Sequence, residues 1–92
     1  MSIDLARLAD FADQVAAAAD LDDAARREVA FDLEVGDPEW AICDAVLATK
    51  SPLPVEMLRR IREDLLTDHW YSVDTEQLIA DAVDRQERRQ VA

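Results

Sequence analysis

Apolar residues recur at steps of three and four along most of this chain. Leu5, Leu8, Ala12, Val15 and Ala19 form the first stripe, broadened by Phe11, with Arg7, Asp10, Asp13 and Gln14 off it. That period belongs to an amphipathic helix. Ser2 or Asp4 can cap it, and the stripe predicts an end near Ala19. Asp20, Asp22 and Asp23 make the first break, since aspartate favours the cap position and acids in an opening turn complement the helix dipole. Ala25, Val29 and Leu33 then repeat at steps of four, with Ala30 beside them and Phe31 on a flank. They predict a second helix over 23–35, with Arg26 and Arg27 toward solvent.

Gly36, the only glycine, suits the left-handed position just past a helix end. Asp37 is a good cap for the next helix, and Pro38 at its first position has no donor to waste. The helix expected over 38–49 carries Trp40, Ala41, Ile42, Cys43, Ala45, Val46, Leu47 and Ala48 on nearly every side. A helix apolar on most sides is the one its neighbours pack around. Pro52-Leu53-Pro54 makes a stiff loop, because each proline pushes its predecessor out of helical geometry.

Leu58, Ile61 and Leu65, with Met57 and Leu66 beside them, predict a fourth helix over 54–66. Glu56–Arg60, Arg59–Glu63 and Arg60–Asp64 are opposite charges four apart. A connector over 67–73 holds His69, Trp70 and Tyr71. Asp74 or Thr75 can cap a fifth helix, with Gln77 at capping-box distance from Asp74. Its apolar face is Leu78, Ile79, Ala82 and Val83, and Asp81–Arg85 and Asp84–Arg88 are spaced to pair. From Gln86 the tail turns polar and is expected to fray. The pattern as a whole predicts one all-α domain over 1–92, a compact bundle of about five helices with 38–49 at its centre.

Charge changes the picture most. The formal net charge is −11, and residues 1–50 carry 12 acids against 4 bases. Nucleic acid and anionic membrane both demand a basic footprint, so neither is an expected partner. Acidity of this size also simply keeps a protein soluble. Where it does more, it steers the molecule toward a basic partner. No basic-then-apolar leader precedes the first stripe and no apolar run reaches membrane-spanning length, so the cytoplasm is the expected location.

Support for catalysis is thin. Cys43 is the only cysteine and sits within the apolar helix, where it reads as a small buried hydrophobe. His69 is the only histidine, there is no glycine loop to cradle phosphate, and the acids around Gly36 lack the spacing of a calcium loop. Neither an enzyme nor a bound metal or cofactor is expected. Binding has better support. Asp32, Glu34, Asp37 and Glu39 bracket the corner at Gly36, and no base intervenes before Lys50. Asp37 is accounted for as a cap, whereas Asp32, Glu34 and Glu39 are not needed for folding. Trp70 and Tyr71 are candidates for interface anchors, or equally for a lid over the core.

The run Leu33-Glu34-Val35-Gly36-Asp37-Pro38-Glu39-Trp40-Ala41-Ile42, followed by Leu47, Ser51-Pro52-Leu53-Pro54, Glu56 and Ile61, resembles the small acidic helical immunity proteins of bacterial polymorphic toxin systems, the MafI-like group. The likeness extends over about 29–65, and Pro38 adds a residue to the turn. It implies an inhibitor that binds one cognate toxin domain, often a nuclease, and transfers no site residues. A monomer that docks on a basic toxin domain is the resulting expectation. The alternative is a non-catalytic regulatory or scaffold module, including a homodimer built through the aromatic connector or the fifth helix.

Overall fold

A computed structural model describes residues 5–66 and 72–91. Among these residues there are five α-helices and no strand: α1 Leu5–Ala18, α2 Asp23–Glu34, α3 Pro38–Ala48, α4 Val55–Ile61 and α5 Val73–Val91. The all-α bundle expected from the stripes is the fold. α3 packs against α1, α2 and α5, and α4 packs against α5. The core runs from Leu8, Phe11 and Val15 of α1 through Ile42 and Val46 of α3 to Leu58, Ile61, Ile79 and Val83, all essentially inaccessible to solvent. Each such large side chain contributes roughly 2 kcal/mol through burial.

The first two helices are joined by polar contacts to the loop after α3. Asp22 caps α2, its Oδ1 accepting from Ala25 N at 2.8 Å. Asp20 N donates to Thr49 Oγ1 at 2.9 Å, Lys50 N donates to Asp20 O at 2.9 Å, and Ser51 Oγ donates to Asp20 Oδ2 at 3.1 Å. The aspartate break is therefore both a helix start and a clasp on a loop some thirty residues away.

α2 ends as expected from its glycine. Gly36 has φ +81°, its N–H donates to Leu33 O at 3.3 Å, and Asp37 N donates to Asp32 O at 2.9 Å. That pair of bonds is a Schellman motif, which satisfies carbonyls the helix end would otherwise leave open. Asp37 stands at the cap of α3, but its side chain makes no capping bond, unlike the expectation. Its φ of −113° and ψ of 68° leave the usual cap geometry.

The fourth helix is shorter than its stripe. α4 gives way at Ile61 to a π-helical segment, Arg62–Leu66, that keeps Leu65 in the core. Arg59 pairs with Glu56 and, at 3.8 Å, with Glu63, so the expected Glu56–Arg60 pair is replaced. Arg60 reaches Asp64 at 3.6 Å and lies 4.0 Å over the Phe11 ring, a cation–π contact that fastens α4 to α1. Arg62 crosses to α5, where it meets Asp84 at 2.6 Å and also Glu87. Asp84 is thereby drawn away from the expected partner Arg88.

α5 begins two or three residues earlier than expected and continues well past Gln86. Ser72, rather than Asp74 or Thr75, supplies the cap: its Oγ accepts from Thr75 N at 3.3 Å. At the other end, Gln86 is only 7% exposed. Its Oε1 accepts from Leu53 N at 2.9 Å, and its Nε2 donates to Val46 O at 2.9 Å. Gln90 adds a bond from Nε2 to Leu53 O at 2.8 Å. The polar end of the chain is helical because its glutamines bond buried backbone that nothing else reaches, which replaces the expected fraying.

Two stability measurements check this account. Replacing Gln86 with Leu leaves a buried donor at Leu53 and a buried acceptor at Val46, and urea unfolding is expected to show a loss of about 2–4 kcal/mol. No atom lies within 4 Å of a Cβ added at Gly36, so Gly36→Ala should cost only the left-handed backbone penalty, about 1 kcal/mol in the same assay. A neutral Gly36→Ala would contradict the motif.

Candidate functional site

The helix end at Gly36 determines where the acids go. Glu34, in the last turn of α2, and Asp37, at the start of α3, are both exposed. Neither side chain makes a hydrogen bond or ion pair among the described residues. Because Asp37 does not cap, its carboxylate joins Glu34 as charge that folding does not use. Glu39, in the first turn of α3, is half-buried and engaged in a contact of its own. Trp70 and Tyr71 lie outside the described residues.

Asp32 behaves differently from the other three. It lies on the flank of α2 that meets α3, half-buried, and faces Asp44. Burial, then a hydrogen bond shared with Asp44, then repulsion from the Asp44 charge push its pKa up to about 7. Its Oδ2 is enclosed without a hydrogen-bond partner. Two carboxyls set together in this way favour keeping one proton between them. Cys43, next along α3, is buried, and burial followed by the charges of Asp44 and Asp32 pushes its thiol up to about 12. A thiol held so fully protonated is a poor nucleophile.

Large apolar side chains stand exposed among these acids. Phe31 is 60% exposed, Val35 51% and Trp40 43%. Phe31 and Val35 are four apart on the face of α2 opposite Val29 and Leu33, and Phe31 borders an open depression of about 330 Å³ with Ala24, Arg27 and Glu28. Trp40, Asp44 and Leu47, at steps of four and three, make the outward stripe of α3, opposite its buried Ala41, Ile42, Ala45 and Val46. The Asp32–Asp44 contact joins that stripe to the flank of α2. The signal for Phe31 and Val35 is present in the chain, since both lie off the Ala25–Val29–Leu33 stripe. For Trp40 no such signal exists, because α3 is apolar on nearly every side.

Exposed carboxylates beside exposed aromatic and aliphatic groups can bind a surface of cationic and apolar character. Among the described residues there is no group of three or more metal-ligating side chains, and no helix is long and apolar enough to cross a membrane. No protein-family model, curated protein or solved structure matches this chain.

The acid pair has a measurable consequence. Asp32 binds its proton more tightly folded, near pH 7, than unfolded, near 3.8. As pH rises between those values the unfolded state loses its proton first, so stability falls, and the penalty is complete above pH 7. Asp32→Asn, which cannot ionise, should therefore raise the thermal midpoint at pH 8 and give a progressively smaller gain toward pH 4. An equal gain at both ends would show that the Asp32 pKa is not raised by folding.

Proposed function

We propose that this chain is an immunity-type inhibitor, which binds and neutralises a cognate toxin domain with a basic surface, a nuclease in the simplest case. The observation that carries the reading is the corner at Gly36. Glu34 and Asp37 present carboxylates that make no side-chain hydrogen bond or ion pair among the described residues, beside exposed Phe31, Val35 and Trp40. A nuclease must hold phosphate, so its cleft is basic, and an acidic surface gains association rate and selectivity against it. The apolar members supply the desolvated contact that slows dissociation. Resemblance of the 29–65 segment to immunity proteins points the same way.

A second reading has its own support in α5. Val73 and Leu78 are exposed on that helix, and a regulatory or scaffold module could use them to form a homodimer. Light scattering at micromolar concentration separates the two readings, since the inhibitor is expected to be a monomer until it meets its partner.

The direct test is binding to basic nuclease toxin domains. Glu34→Lys with Asp37→Lys should reduce the association rate, and added salt should reduce it for the wild type, as the Debye length contracts to about 8 Å at physiological ionic strength. Trp40→Ala should act mainly on dissociation. If neither the charge reversals nor Trp40→Ala changes binding, the corner is not the interface.

A further inference from the structure

At the opposite end of α3 from the acidic corner, roughly 16 Å away along an eleven-residue helix, the surface changes sign. Arg85 and Arg89, one turn apart on α5, border a groove of about 160 Å³ with Val46, Leu47, Ala82 and Thr49. The basic residues of α4 and the segment after it are all engaged: Arg59 with Glu56 and Glu63, Arg60 with Asp64, Arg62 with Asp84 and Glu87. Arg85 and Arg89 make no ion pair or hydrogen bond among the described residues. Asp81, spaced to pair with Arg85, instead accepts from Gln77 Nε2 at 2.8 Å. The dipole of α5 favours bases in its last turn, which accounts for Arg88 and Arg89 but not for Arg85.

We propose that this groove docks an acidic segment of a partner protein, with Arg85 and Arg89 holding carboxylates and the exposed Leu47 taking an adjoining apolar side chain. The groove is small beside the roughly 300–1,000 Å³ of small-molecule sites and suits one or two side chains of a peptide. Two guanidiniums on one helix face match neighbouring carboxylates, to which arginine bonds in its fixed fork. A long polyanion would run on into the acids that give the chain its −11 charge, whereas a short acidic segment meets fewer of them. Screening over about 10 Å at 0.1 M salt mutes the remote acids while leaving direct contact largely intact. The site is separate from the Gly36 corner and does not depend on the inhibitor reading.

The test is fluorescence anisotropy at 0.1 M salt with a labelled peptide of alternating leucine and glutamate. Saturable binding is expected, weakened by about tenfold or more in the Arg85→Glu, Arg89→Glu double variant, since each exposed ion pair is worth up to about fivefold. Arg27→Glu, a reversal on α2, should leave affinity unchanged. Absence of binding, or equal binding by the double variant, overturns the proposal. Should the double reversal impair folding, Arg85→Gln with Arg89→Gln replaces it. A lower thermal midpoint in that pair with peptide affinity unchanged would overturn the proposal too, and assign the arginines to stabilising helix ends.

Discussion

The segment Pro52-Leu53-Pro54 has one backbone N–H to offer, that of Leu53, and Leu53 is fully buried. Near it, α3 ends with carbonyls that its own turns cannot satisfy. Both demands fall on the same side chain. The amide of Gln86 accepts from Leu53 and donates to Val46 O, so a single residue completes the loop, the end of the central helix and the docking of α5. Gln90 takes the Leu53 carbonyl and doubles the hold on the loop. The apolar stripes explain why the helices collapse together. The glutamine joint explains why α5 lies against α3 in this register.

The charges divide by location. Arginines on α4 and just beyond it bind acids of their own helix and of α5, and one also caps an aromatic ring of α1. By contrast, the side chains of Glu34 and Asp37 at the Gly36 corner, and of Arg85 and Arg89 bordering the α3–α5 groove, make no ion pair or hydrogen bond among the described residues. The molecule therefore has opposite unneutralised charges at the two ends of α3, each beside exposed apolar side chains. Such an arrangement favours an oriented encounter over non-specific adhesion.

Most of the helices are legible in the chain because burial follows the 3.6-residue period and caps follow local chemistry. Leu8, Phe11 and Val15 fall in the core as their spacing implies, and Gly36 takes the left-handed turn its neighbours require. What is not legible depends on contacts far apart in sequence. Gln86 continues the inward stripe of Ile79, Ala82 and Val83, yet polarity makes it read as solvent-facing, because its partners are 33 and 40 residues away. Ser72 outcompetes Asp74 as a cap, two residues earlier, a difference within the usual uncertainty of helix ends. At the candidate site the acids are visible from composition, but the exposure of Trp40 is not. A helix apolar all round does not disclose which side its neighbours leave bare. Asp32 likewise reads as one more surface acid until α3 brings Asp44 against it.

The joint at Leu53 is made of side-chain amides, which neither gain nor lose a proton across the physiological range and carry no net charge. Its strength is therefore nearly indifferent to pH and to ionic strength, unlike the exposed ion pairs of α4. For a chain so strongly acidic, that separates two properties that are often entangled. Salt can be raised until charge-driven attraction at the surface is silenced, while the fastening of α5 to α3 is left as it was. The fastening of α5 to α3 at Leu53 thus rests on neutral polar bonds and apolar packing rather than on charge.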